Sequence, residues 1–152
     1  MKKTWLEIKK FKFYNLKQEG LKRLNKGKFK TSPWINNIIN KNIKDKVVLI
    51  TGAGGSIGSE ISRQSVRNGA SKILLLDSNE YALYSIKNEI ETYSEKPEVF
   101  SILASVKNKK RIIEVCNAFG VDTIYHAAAY KHVSLVEENP FEAVQNNIFG
   151  TM

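Results

Sequence analysis

The sequence predicts an α/β fold built on a doubly wound parallel sheet, and three observations carry that expectation. From Lys46 onward, short apolar runs alternate strictly with longer stretches of helical period. The runs at residues 47–50 and 73–76 are apolar without interruption, as parallel strands buried on both faces require. A glycine-rich turn, from Thr51 to Gly58, joins the first run to the first helical stretch. Units of this kind connect by right-handed crossovers, which place helices on both faces of one sheet.

Taken in order, residues 1–30 mix lysines with Trp5, Leu6, Phe11, Phe13 and Tyr14 without one clean period, interrupted by Gly20 and Gly27. Short amphipathic pieces are expected there, inside a basic, partly helical lead-in over residues 1–45. Thr31, Ser32 and Pro33 mark a turn, and residues 34–43 read as a short helix against the following domain. Residues 47–50 form the first strand. Residues 56–68 form a helix closed by Gly69. Residues 73–76 make the second strand, and Asp77 or Ser78 caps a helix whose buried stripe is Leu83, Ile86, Ile90 and Tyr93. Residues 99–104 are a third strand, residues 108–119 a third helix stopped by Gly120, and residues 121–125 a fourth strand. Asn139 and Pro140 supply a cap and a first-turn proline for a fourth helix from Phe141. About four strands make the first half of such a sheet, so residues 46–152 are expected to be a domain truncated on its C-terminal side.

The charge excess lies at one end. Residues 1–46 hold 14 basic and 3 acidic side chains of the 24 and 15 in the chain, so the remainder is near neutral. A nucleic-acid surface on the folded part is therefore not expected, and the arm at residues 1–30 reads first as solvated and second as a peripheral contact with anionic lipid. The single cysteine, Cys116, excludes an internal disulfide and a cysteine-rich zinc site; beside Ile112, Ile113, Val115 and Phe119 it reads as core filler. No metal site is expected. No apolar run approaches the roughly 20 residues of a membrane span, and no secretory signal pattern is present, which points to a cytoplasmic protein, at most at the inner face of the membrane.

The turn Thr51-Gly52-Ala53-Gly54-Gly55-Ser56-Ile57-Gly58 stands where a strand passes into a helix. Glycine there reaches positive φ and lets backbone approach a pyrophosphate, while the helix N-terminus offers free N–H groups and its positive dipole end. Asp77 ends the second strand 19 residues after Gly58, close to the spacing of the acid that binds the adenosine ribose. No Arg or Lys occurs between Ser78 and Ala82 to hold a 2′-phosphate, so NAD is favoured over NADP. The pattern is that of a Rossmann-type dinucleotide-binding domain.

The spacing Gly52, Gly55, Gly58 resembles the loop of the short-chain dehydrogenase/reductases. Together with His126-Ala127-Ala128-Ala129-Tyr130-Lys131-His132-Val133, Glu137, Asn139-Pro140 and Asn147-Ile148-Phe149-Gly150-Thr151, it is similar to the CapD-type polysaccharide-biosynthesis branch of the extended family. That resemblance implies a nucleotide-sugar 4,6-dehydratase, in the main one acting on UDP-N-acetylglucosamine, with an epimerase, a reductase or a non-catalytic dinucleotide module as alternatives. It implies that Gly52, Gly55, Ser56, Ile57 and Gly58 line the pyrophosphate and Asp77 the ribose. Ser105 and Val106 stand where many relatives have Asp-Val beside the adenine. Ala127, Ala128 and Ala129 would form a small-residue wall for the cofactor. Tyr130 would point to the nicotinamide end, and Lys131 and His132 to the sugar. Asn147 corresponds to the family asparagine behind the active site, where it and Lys131 would have supporting roles. The family's acid/base motif, Tyr or Met followed by x-x-x-Lys, is expected beyond Met152, and a homo-oligomer is expected. His126, at a strand end, reads as a satisfied, partly buried histidine.

Overall fold

The computed structural model describes residues 33–152. The expectations for residues 1–30 lie outside the described residues. A compact unit runs from Ile35 to Met152, so it takes in residues ahead of Lys46. Helix α1 (Pro33–Asn42) opens the described part, and Ile43, directly after it, is buried in the core.

Strands β1 (Val47–Thr51), β2 (Lys72–Asp77), β3 (Glu98–Leu103) and β4 (Thr123–His126) form one parallel sheet in the order β3-β2-β1-β4. The doubly wound α/β expectation is confirmed. Successive strand residues point to opposite faces, and two apolar clusters form accordingly. Val48, Ile50, Ile73 and Leu75 meet Val66 of α2 (Ser56–Arg67) and Leu83, Ile86 and Ile90 of α3 (Glu80–Glu91). Leu49, Leu74 and Leu76 meet Ile102, Val106 and Val115, the last from α4 (Lys109–Phe119) on the opposite face. Leu49, Ile50, Leu74 and Leu75 are fully buried, each contributing about 1.5–3 kcal/mol of transfer free energy.

Helix α2 turns small residues inward. Ser62 and Ser65 are buried, and their hydroxyls donate to the Gly58 and Ile61 carbonyls at 2.8 and 2.9 Å, which satisfies them without bulk. Gly120 ends α4 in the left-handed region at φ 61°, and Gly69 follows α2 at φ 77°, as the sequence indicates. Cys116 is half-buried on the second cluster, where burial pushes its thiol up, in keeping with a filler.

Three local expectations are corrected. The cap of α3 is Asn79, whose side chain accepts the Ala82 N–H at 2.9 Å; neither Asp77 nor Ser78 serves, because the Asp77 carboxylate is turned into the loop after β1. The stretch after β4 holds a helix that the sequence reading did not include, α5 (Val133–Glu138), with Glu137 in its last turn. Helix α6 (Pro140–Ala143) has Pro140 in its first turn, but the Asn139 side chain donates back to the Leu135 carbonyl at 3.0 Å instead of capping forward. The chain then widens into a π-helical segment, Val144–Phe149. A π segment follows no apolar period that the sequence displays, and such segments recur at functional sites.

Candidate functional site

The segments that follow all four strands lie at the carboxyl edge of the sheet, where ligands of open α/β folds bind. The chain order reverses beside β1, which has β2 on one side and β4 on the other.

After β1, Gly52 adopts φ 67°, and a Cβ there would stand 2.8 Å from backbone atoms of Ala127 and Ala128. Both conformation and crowding require glycine. Gly58, in the first turn of α2, passes so close to the Gly52 carbonyl that any side chain would overlap it. Gly55 differs, since a Cβ there would meet only the Gly52 oxygen, at 3.3 Å, with nothing else within 4 Å. Gly55 is the N-cap of α2 and brings no side-chain cap. The first-turn amides of Ser56, Ile57 and Gly58 therefore have no acceptor within the helix, and Ser56 and Ile57 are exposed.

Asp77 sits at the end of β2. Its Oδ2 accepts the Gly54 N–H at 2.9 Å, and its Oδ1 accepts the Asn79 N–H at 2.9 Å. Each oxygen retains a further lone pair for another donor. Gly54 is itself pressed against Ala82 of α3, where a Cβ would run into that side chain. The motif spacing singles out the other glycines; Gly54 is the one it misses, and its signal was only that glycine stands there at all.

After β3, Val106 is buried, with its Cγ2 2.8 Å from where a Cβ on Gly150 would stand. The Ser105 hydroxyl accepts the Lys107 N–H at 3.2 Å, a local turn. Lys107 Nζ reaches Glu142 of α6 at 2.7 Å, a tie between the loop after β3 and that helix that the sequence does not announce.

After β4, the Ala127 N–H donates to the Thr51 carbonyl at 3.0 Å, and Ala128 packs on the second core cluster, whereas Ala129 and Tyr130 are exposed. Asn147, in the π segment, takes both polar groups of the Tyr130 backbone: its Oδ1 accepts the N–H at 2.8 Å, and its Nδ2 donates to the C=O at 2.9 Å. Lys131 and His132 are exposed, His132 at the N-terminus of α5. His126 is held on both sides, with Nδ1 2.7 Å from Thr51 Oγ1 and Nε2 3.0 Å from Thr151 Oγ1, and burial lowers its pKa from 6.5.

Crowded glycines at 52 and 58, open space beside Gly55, first-turn amides without acceptors and a carboxylate beside Gly54 form a cradle that fits a dinucleotide.

A family model described as "Polysaccharide biosynthesis protein" matches residues 48–152. The chain belongs to this polysaccharide biosynthesis family. It is 50% identical over 115 residues to the capsular polysaccharide biosynthesis protein CapD of Staphylococcus aureus, an alignment covering 75% of this chain and 19% of that protein. It is 34% identical over 109 residues to a trifunctional UDP-glucose 4,6-dehydratase/UDP-4-keto-6-deoxy-D-glucose 3,5-epimerase/UDP-4-keto-L-rhamnose-reductase of Arabidopsis thaliana, covering 71% of this chain and 16% of that protein. Among solved structures, the X-ray structure of Pen from Bacillus thuringiensis matches with a TM-score of 0.63 and 32% identity, covering 71% of this chain and 32% of that one. The chain thus spans about a fifth of the length of these curated relatives. Membership of the polysaccharide biosynthesis family bears out the expected resemblance to the CapD-type branch of the extended short-chain dehydrogenase/reductases. Among the described residues, no helix is long and apolar enough to cross a membrane.

Proposed function

We propose that this chain is the NAD-binding part of a nucleotide-sugar 4,6-dehydratase that serves surface-glycan biosynthesis, with a substrate resembling UDP-N-acetylglucosamine. The observation that carries the reading is the crossing of Gly52 against Ala127 and Ala128, beside the open flank of Gly55 and the Asp77 carboxylate. In it, the amides of Gly55, Ser56, Ile57 and Gly58 hold the pyrophosphate, and the remaining lone pairs of Asp77 accept the ribose hydroxyls. Ser105 and Val106 border the adenine. Ala127, Ala128 and Ala129 give a smooth wall, and Tyr130, Lys131 and His132 form the rim on the nicotinamide and sugar side. Asn147 and Lys131 take supporting roles there. A bound nicotinamide would supply the hydride acceptor for the sugar carbon.

The surface-glycan role draws support from the name of CapD, and the dehydratase chemistry from that of the Arabidopsis relative. That same name joins dehydration to epimerisation and reduction, which keeps an epimerase or reductase as the second reading. Calorimetric titration of the chain with NAD⁺ and NADP⁺ tests the cofactor, and tighter binding of NAD⁺ is expected. Binding of neither would overturn the dinucleotide reading. Incubating the full natural reading frame with UDP-N-acetylglucosamine and NAD⁺, followed by NMR, tests the reaction. A 4-keto-6-deoxy product supports the dehydratase, and a C4 epimer as sole product replaces it with the epimerase.

A further inference from the structure

We infer that His126 is a positioning residue, a neutral clamp that ties the end of β1 to the π-helical segment and so holds the Ala127 to Tyr130 loop across the site. The protons of the network can be assigned one at a time. The Thr151 hydroxyl has a single proton and donates it to the Asn147 carbonyl, 2.9 Å away, which can only accept. Thr151 Oγ1 must then accept from His126, so the ring proton is on Nε2. In the neutral ring Nδ1 is left with its lone pair, and the Thr51 hydroxyl donates to it over 2.7 Å. One tautomer satisfies all three bonds.

What the clamp grips is informative. Thr51 is 3% exposed and ends the central strand, so one jaw is fixed by the sheet. The other jaw closes on Thr151 and through it on the backbone of Asn147, the residue whose side chain takes both polar groups of Tyr130. A π-helical segment lacks the regular bonding of an α-helix, so side-chain ties of this sort set where Asn147 sits. The route from the sheet to the loop runs Thr51, His126, Thr151, Asn147, Tyr130. A histidine suits the task because its ring presents a donor and an acceptor on opposite sides at fixed separation.

The positioning claim concerns the chain's own loop; only its consequence for cofactor affinity rests on the proposed function. The first measurement needs no variant: ¹⁵N imidazole shifts of the 152-residue chain at pH 7.5 are expected to show His126 protonated at Nε2. A proton on Nδ1 alone would overturn the assignment. The second is amide exchange at Tyr130 in Thr151→Val and His126→Phe, with the Leu74 and Leu75 amides as a global reference. Exchange at Tyr130 is expected to rise about five- to tenfold, as the loss of one or two hydrogen bonds implies. His126→Gln, whose amide can again donate to Thr151, is expected to restore part of the protection. Unchanged Tyr130 exchange in Thr151→Val would overturn the clamp. Should His126→Phe raise exchange everywhere, Thr151→Val decides alone, because it leaves the buried end of the network intact. NAD⁺ titration of the same variants is expected to show weaker binding. Absence of NAD⁺ binding by the unaltered chain would remove the proposed function while the exchange result still decides the role of His126.

Discussion

Asp77 Oδ2 lies 2.9 Å from the Gly54 amide nitrogen and accepts its hydrogen bond, so the acid at the end of β2 shapes the glycine loop. Removing the carboxylate should have two separable effects. Asp77→Ala is expected to lower stability by about 1–3 kcal/mol through the stranded Gly54 amide. It should also weaken NAD⁺ more than NADP⁺, since the unphosphorylated ribose uses that acceptor. Asp77→Asn keeps an oxygen for Gly54 and should recover most of the stability but not the affinity. Urea unfolding and calorimetry check the two effects; equal losses for both cofactors would confine Asp77 to holding the loop.

The glycines at 55 and 58 should respond oppositely. Gly58→Ala drives a methyl into the Gly52 carbonyl, which is backbone and cannot yield, so a loss of about 1–3 kcal/mol or more is expected. Gly55→Ala meets a single oxygen at 3.3 Å and should keep the fold within about 1 kcal/mol. Gly55→Val should keep the circular dichroism spectrum yet abolish dinucleotide binding. Unchanged NAD⁺ affinity in a folded Gly55→Val chain would remove the phosphate-loop assignment.

His126 is expected to titrate below 6.5, because burial disfavours its charged form. The unfolded chain then binds more protons than the folded one in that window. Stability should be fully present above about pH 6.5 and decline as the pH falls through the lower folded value. NMR titration of the ring, with urea midpoints at matched pH, reads this directly, and a midpoint at or above 6.5 would contradict the burial argument.

Arg63 holds Glu89 with Nε at 2.6 Å from Oε1 and Nη2 at 2.7 Å from Oε2, bridging α2 to α3. This guanidinium keeps the Glu89 carboxyl below its usual range of about 4.5. The pair is partly exposed, so Arg63→Ala is expected to cost only about 0.5–1 kcal/mol at neutral pH. Since the folded carboxyl is the stronger acid, its contribution is present above 4.5 and disappears as the pH falls through the folded value. The unaltered and Arg63→Ala chains should therefore converge in stability under acid, as urea unfolding at pH 7 and pH 3 would show.

Strands β1 and β2 were legible because burial on both faces leaves an uninterrupted apolar run, as in Leu74, Leu75 and Leu76. The glycine turn after β1 was legible because positive φ and close backbone approach admit only glycine at Gly52. What escaped was decided by partners distant in the chain. Asn79 took the cap because Asp77 was already committed to Gly54, a residue 23 positions earlier. The role of Thr51 depends on His126, 75 positions later, and no local pattern distinguishes that threonine from any other at a strand end. The helix α5 has no buried residue, so it leaves no apolar period to read.

The pairing of β1 with both β2 and β4 has a kinetic consequence. Val48 finds Ile73 after one helix, but it finds Thr123 only after the whole of α2, β2, α3, β3 and α4 has been spanned. Closing that longer loop costs more chain entropy, and the reward is a four-residue edge strand in which Ile124 stays 36% exposed. The order of assembly follows: β1 and β2 zip first, and the β4 edge docks last. By the same inequality the β1–β4 pairing of the 152-residue chain opens before the β1–β2 pairing, so the amides of β4 should exchange with solvent ahead of those of β2. In the 152-residue chain a dinucleotide lying across Gly52 and Ala127 would slow that opening by bridging the later-formed pairing to the earlier one.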